Sequence, residues 1–293
     1  MKHTKGEKIF QAVNVVFMLL LCVIMIFPYL NQLAISLNDG MDAMMGGIGI
    51  WPRKFTWANY QAVFSSKSML TGAYISVSKV LLGTLLGLAV LFTSAYGITR
   101  SNLPYRRGLT LFLMIPAYVS AGVIPTYITY RYLGLINNYL VYILPGCFSF
   151  YNMVILRSFL QELPVSIEES AKLDGANDIQ IMYKIALPLS KPVMATIALW
   201  LSVGLWNGWM DTLLYITDRS LYTLTYIMMQ LIKESSLAQQ MAQEAGNVSE
   251  ASKPTPDTVK AATLIVTTLP IIMVYPFLQK YFIKGVTLGA VKG

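Results

Sequence analysis

The stretch Ser166-Ile167-Glu168-Glu169-Ser170-Ala171-Lys172-Leu173-Asp174-Gly175-Ala176-Asn177-Asp178-Ile179-Gln180-Ile181-Met182-Tyr183-Lys184-Ile185-Ala186-Leu187-Pro188 decides how the chain is read. It carries four acids and two lysines between strongly apolar segments. Its spacing predicts two short helices joined by a tight turn. Ser166 with Glu169 has the pattern of a capping box, in which each side chain closes a backbone donor left open at a helix start. Asn177 with Gln180 repeats it. Asp174-Gly175 is a turn dipeptide, with Gly175 suited to the left-handed position after a helix. Pro188 is expected to end the second helix, because proline offers no backbone donor. A capped hairpin between membrane spans reads as a docking element.

Working outward, 55% of the residues are apolar and only 12% are charged. That charge content is about half the usual value for soluble domains, and the long uncharged runs mark an integral membrane protein. Six spans of about 20 residues are expected, over Ile9–Leu30, Tyr74–Ile98, Leu109–Tyr130, Tyr139–Leu156, Val193–Tyr215 and Ala261–Phe282. The fold class is therefore all-α and polytopic, a single membrane domain over residues 1–293. Outer loops are placed at about 31–73 and 217–260, and the hairpin loop at about 161–192. Pro116 and Pro125 should kink the third span, and Lys79, near the start of the second, should snorkel to the interface.

Orientation follows from the basic residues. With the N-terminus inside, inner segments collect thirteen Lys and Arg residues against nine outside. The short turn Arg100 to Arg107 and both basic termini decide the sign under the positive-inside rule. The hairpin then faces the cytoplasm, as do both termini. The net charge of +8 is this bias. No basic stripe with interleaved aromatics points to nucleic acid.

Catalytic chemistry is hard to place. His3 is the only histidine, so a Ser-His-Asp arrangement is implausible. Cys22 and Cys147 lack metal or disulfide spacing. No Gly-rich phosphate loop ending in Lys-Ser/Thr occurs, so no cofactor is expected in this chain. A membrane-bound enzyme using paired carboxylates would need acids inside the spans, and they lie almost entirely outside. A stand-alone secondary sugar carrier would need ionisable coupling groups deep in its helices; Asp211 and Lys79 come nearest, and both are placed toward the outer interface. Energy is thus expected to come from outside the chain. Polar and aromatic groups within the spans, Asn152, Trp206, Asn207 and Tyr127 among them, suit either interhelical bonding or a lining for hydroxyl-rich ligands.

The hairpin resembles the permease signature of binding-protein-dependent, ATP-driven importers: Glu-Ala-Ala, three residues, Gly, nine residues, Ile, one residue, Leu-Pro. Here it stands as Glu169-Ser170-Ala171, Gly175, Ile185 and Leu187-Pro188, with Ser170 the one departure. Trp57-Ala58-Asn59-Tyr60, Ser94-Ala95-Tyr96-Gly97-Ile98-Thr99-Arg100 and Trp206-Asn207 are similar to carbohydrate permeases of the maltose type. Gly122 to Tyr127 and the tail Lys284 to Gly293 are similar to its LplC/YtcP-like branch, associated with oligosaccharides from complex polysaccharides. The resemblance implies a type I ABC importer permease fold in a bacterial inner (cytoplasmic) membrane. It implies as partners a second homologous permease, two ATPase subunits that bind ATP and Mg, and an extracytoplasmic solute-binding protein. It implies coupling to the ATPase through Glu168, Glu169, Ser170, Ala171, Leu173, Asp174, Gly175, Ile185, Leu187 and Pro188. The apolar contacts would come from Leu173, Ile179, Met182 and Tyr183. It implies a further ATPase contact at Lys292 and Gly293.

Overall fold

The computed structural model describes residues 4–245 and 255–290. In chain order the helices are α1 (Lys5–Ser36), α2 (Gly40–Met44), α3 (Ala58–Ser65), α4 (Lys67–Thr99), α5 (Arg106–Tyr118), α6 (Val123–Tyr132) and α7 (Phe150–Gln161). They continue as α8 (Val165–Leu173), α9 (Asp178–Ile181), α10 (Leu187–Leu189), α11 (Lys191–Asn207), α12 (Met210–Tyr215), α13 (Leu224–Ala245) and α14 (Pro256–Ala290). Among the described residues no strand forms; Asn38 and Phe55 make an isolated bridge.

Among the described residues three helices are long and apolar enough to cross a membrane, within α1, α4 and α14, and the number rises to five if each of two bent pairs is one span. The first pair, α5 and α6, bends by 119°. The break lies between the two prolines, where Gly122 adopts φ +86°. The second pair runs from Asp178 to Asn207 and bends by 77°. The expected span Tyr139–Leu156 is not one helix. A 3-10 turn at Tyr139–Tyr142 is followed by irregular chain through Pro145-Gly146, and α7 then starts at Phe150. Proline and glycine interrupt the run where a continuous helix was expected. The outer loops also hold more helix than their polarity indicated: α2 and α3 fall in the first, and all of α13 in the second.

The chain divides into two compact units. The first comprises residues 1–70 and 227–269. Its centre is polar. The buried Asn59 amide donates to the carbonyls of Ser36 and Asn38, 2.9 Å each, and accepts from the Thr258 hydroxyl at 2.8 Å. Gly40 is needed beside this knot, because a Cβ there would lie 2.8 Å from the Thr255 backbone nitrogen. Asp42 accepts from Asn38 and from Arg53, 2.9 Å each. The Asn38 bond, then Arg53, hold its carboxyl below the ordinary range. Every buried polar group in this knot has found a partner, as the cost of leaving one unmet requires.

The second unit comprises residues 71–226 and 270–293. One core joins Leu91, Phe92, Ala95 and Tyr96 of α4 to Met153, Leu156 and Leu160 of α7, with Ala186 and Ile197 from the hairpin side. A second gathers Ile75, Val141, Tyr142 and Tyr215. Gly83 and Gly87, four apart on α4, let α11 approach closely. A Cβ on them would lie 2.7 Å from Leu205 and 3.1 Å from Leu201. Small residues at this spacing are how helices associate where lipid offers no hydrophobic gain.

Candidate functional site: the α8–α9 hairpin

The hairpin stands on the core of the second unit. Ala186 belongs to that core and Met182 packs against it, so Met182 is turned inward and does not add to an exposed apolar face; Ile181 is buried as well. Leu173, Ile179 and Tyr183 point outward, with Leu173 89% exposed. Glu169, Ser170, Asp174 and Gly175 are exposed, and Ala171 is half-buried.

Its turn closes by backbone chemistry. Gly175 adopts φ +81°. Its N–H donates to Lys172 O at 3.0 Å, and the Ala176 N–H to Ala171 O at 2.9 Å. This pair of reversed bonds satisfies the last carbonyls of α8. The second helix starts as the spacing predicts: Asn177 and Gln180 exchange bonds of 2.8 and 3.0 Å. The first does not. Pro164 is the N-cap of α8 and Ser166 lies inside the first turn, with no side-chain cap. The helix begins one residue before Ser166 because Pro164 pre-sets the entry of the chain, which leaves the Ser166 hydroxyl beyond the capping position.

Pro188 likewise does not stop the helix. After α9 the chain widens into a π-helical turn over Met182–Ala186, and Pro188 falls in the first turn of α10. A missing N–H costs nothing in a first turn. The bend comes at Ser190, whose N–H and hydroxyl both donate to Ala186 O, at 3.0 and 2.7 Å. Ile185 and Leu187 are half-buried in this segment, and Pro188 is exposed.

A tether unforeseen in the sequence joins the hairpin to the end of α4. Arg100 donates from both terminal nitrogens to the Glu168 carboxylate, at 2.6 and 2.7 Å. Its guanidinium carbon also lies 4.0 Å from the Tyr96 ring centroid. The Tyr96 hydroxyl donates to Asp178 O at 3.3 Å. These bonds from Arg100 hold the Glu168 carboxyl below its ordinary range. Glu168, expected to be offered to a partner, is therefore taken within the chain. The signal lay in Tyr96 and Arg100, one helical turn apart and so on one face. A polar pocket of about 560 Å³ opens beside the tether, lined by Ser101, Asn102, Gln161, Glu169 and Lys172 among others.

The residues expected to line a pathway have different surroundings. Trp206 borders an apolar cavity of about 410 Å³ with Leu81, Thr84, Ala198 and Ser202. Asn207 is exposed. Tyr127 stacks on Tyr215, centroids 6.2 Å apart. Asn152 is buried in α7. Lys79 does not snorkel: its side chain is 1% exposed and it faces Asp211 at 3.6 Å. Its neighbours are polar, which removes the reason to reach the interface. Lys292 and Gly293 lie outside the described residues.

The chain is similar to known proteins over nearly its whole length. Protein LplC of Bacillus subtilis (strain 168) is 36% identical over 293 residues, covering 100% of this chain and 98% of that protein. The polygalacturonan/rhamnogalacturonan transport system permease protein YtcP of the same organism is 34% identical, covering 98% and 99%. A chain in the crystal structure of a bacterial ABC transporter that imports the acidic polysaccharide alginate superposes with TM-score 0.84 at 26% identity, covering 96% of this chain and 99% of that one. A family model matches residues 79–288, from Lys79 through the whole hairpin and into α14. The chain thus belongs to the family of binding-protein-dependent transport system inner membrane components, as the permease subunit of an importer.

Proposed function

We propose that the chain forms, with a second homologous permease, the membrane pathway of an ATP-driven importer for oligosaccharides released from complex polysaccharides. The observation that carries this is the hairpin. It is rigidly closed at Gly175, capped at Asn177, tied to α4 through Arg100, and still offers Leu173, Ile179 and Glu169 outward. Such a feature suits a cleft on another subunit, with apolar contact supplying affinity and the acids supplying orientation. Two ATPase subunits on the cytoplasmic side would bind ATP and Mg, and their closure would move the hairpin and rock the spans. Glu168 then acts inside the chain, and Glu169 and Asp174 face the ATPase. Ala171, Ser170 and Gly175 permit close approach.

The carbohydrate substrate class is supported by the relatives, whose names include polygalacturonan/rhamnogalacturonan and galactooligosaccharide permeases. The pathway is completed by the second permease. In this reading the chain crosses a bacterial cytoplasmic membrane six times, α7 with the irregular chain before it making the fourth crossing. Both termini are inside, and an extracytoplasmic solute-binding protein delivers substrate.

The test is uptake of labelled oligosaccharide into proteoliposomes holding the assembled complex. Uptake should require ATP, the ATPase subunits and the binding protein together. Uptake that persists with the ATPase subunits left out would overturn the reading.

A further inference from the structure

The coupling hairpin leaves unexplained a cation buried well inside α4. The Lys79 ammonium donates to Gly208 O at 2.8 Å, faces Asp211 Oδ2 at 3.6 Å and lies 4.7 Å from the Tyr142 ring centroid. Taking an ammonium out of water is costly, and a Met of similar volume would fill the space without that cost. Its partners indicate what the charge does.

Gly208 is the residue at which α11 ends. The last carbonyls of a helix lack intrahelical partners and carry partial negative charge. Here φ −71° and ψ 86° turn the chain out of the helix, and α12 restarts at Met210. The ammonium supplies the donor that this break would otherwise lack. The fit is close: a Cβ on Gly208 would lie 3.2 Å from Lys79 Nζ and 3.4 Å from Asp211 Oδ2.

Hydroxyls pin the chain on either side of the break. The Thr225 hydroxyl donates to Trp206 O at 2.8 Å. The Tyr142 hydroxyl lies 2.9 Å from that of Thr212 and donates to Leu221 O at 2.8 Å. Between these fixed points Asn207 is exposed, and the Asp211 side chain is 46% exposed. Ion-coupled carriers set a sodium ion against the free carbonyls of a broken helix. In this chain a covalently attached ammonium lies against the carbonyl.

We propose that Lys79 is a positioning residue of the translocation pathway. Its ammonium holds the break after α11 in shape at Gly208, and so fixes how Asn207 and Asp211 are presented to a hydroxyl-rich substrate. The substrate part of this rests on the carbohydrate-importer reading above.

The test compares wild-type, Lys79→Met and Lys79→Met/Asp211→Asn chains in the full reconstituted complex, with rates taken per assembled complex. A second arm follows maleimide labelling of Asn207→Cys, with Cys22 and Cys147 replaced by Ala, with and without Lys79→Met. Lys79→Met should lower the maximal uptake rate about tenfold or more and leave the half-saturating concentration unchanged, and it should shift the labelling rate severalfold. The double variant should stay slow, because Gly208 O still lacks its donor. Recovery of uptake in the double variant would reduce Lys79 to a counter-ion for Asp211 and overturn the proposal. So would unchanged uptake and labelling in Lys79→Met. If Lys79→Met does not assemble, Gly208→Ala presses on the same contact with both charges intact. It should reproduce the slow uptake, and wild-type uptake there would overturn the proposal. Failure of the wild-type complex to show ATP-dependent uptake would count against the importer reading, and the labelling arm would still decide the role of Lys79.

Discussion

Arg100 and Glu168 meet through two parallel hydrogen bonds of 2.6 and 2.7 Å across 68 residues of chain. The guanidinium also lies against Tyr96, whose hydroxyl reaches the backbone of Asp178. The last turn of α4 thereby holds α8 through a side chain and α9 through a carbonyl. In the proposed reading, motion imposed on the hairpin would pass to α4 through this forked, charge-assisted contact, which resists rotation as well as separation.

Breaking that fork should uncouple the complex without dismantling it. Arg100→Gln is expected to weaken the hairpin's attachment by about 1–3 kcal/mol and to lower substrate transported per ATP hydrolysed. The exchange Arg100→Glu with Glu168→Arg should recover part of that ratio, and each single change should not. Parallel measurement of uptake and hydrolysis in reconstituted complexes checks this. Equal ratios in all variants would remove Arg100 from the coupling route.

At Gly175 the backbone alone sets the penalty. A Cβ there meets nothing within 4 Å, but φ is +81°. Gly175→Ala should destabilise the turn by about 1–2 kcal/mol, and Gly175→Asn by less, since Asn tolerates the left-handed region. Both should insert normally. Gly175→Arg adds bulk on the exposed tip and should abolish substrate-stimulated hydrolysis even where the turn survives. Limited proteolysis of the hairpin separates the strain effect from the bulk effect.

The pH dependence of the tether follows from the direction of the Glu168 shift. Its carboxyl is held below the ordinary 4.5, first by the hydrogen bonds from Arg100. A depressed carboxylate contributes stability above its unfolded value and loses it as pH falls through the folded value. Arg100 is shifted upward and stays charged throughout. Hydrogen exchange of the α8 amides should therefore be flat, once corrected for intrinsic rates, from roughly pH 5 to pH 9. It should rise only in stronger acid, and Glu168→Gln should show the raised exchange at every pH.

The contact between α4 and α11 offers a packing test. Gly83→Ala places a methyl 2.7 Å from Leu205 Cδ1. Because the obstacle is the end of a flexible side chain, the cost should be about 1 kcal/mol, whereas Gly83→Leu should cost the full 1–3 kcal/mol of overpacking or more. Gly83→Ala with Leu205→Ala should recover wild-type thermal stability in detergent.

Local chemistry was legible in the sequence where one or two residues decide it. Gly175 and the Asn177–Gln180 pair each act within a single turn, and the structure has both as the spacing predicts. Ser166 and Pro188 misled because their meaning depends on where the helix begins, and Pro164 and the π-helical turn moved both boundaries. Hydropathy found the apolar runs, but it averages over a window. It therefore passed over the breaks at Gly122, Pro145-Gly146 and Gly208, where a few residues redirect the chain. Arg100–Glu168 and Lys79–Gly208 pair residues far apart in sequence, and charge counting assigned those cations to solvent or interface before any partner was known. The Gly83/Gly87 spacing was readable but needed Leu201 and Leu205 opposite it to acquire meaning.

One helix stands apart in how it is stabilised. The most apolar window of α1 has a mean hydropathy of 2.7, and none of it is buried among the described residues. Its apolar body is therefore competent to insert as soon as it leaves the ribosome, while its last turns are held by the fold through Asn31 and Ser36. The consequence lies in biogenesis. A newly made copy can be anchored before the hairpin or the α4–α11 contact exists, and until lipid is joined by a partner helix that surface stays open to quality-control proteases. Co-expression with its permease partner should lengthen the half-life of the subunit, and grafting an unrelated apolar helix in place of residues 9–30 should preserve insertion while erasing that protection.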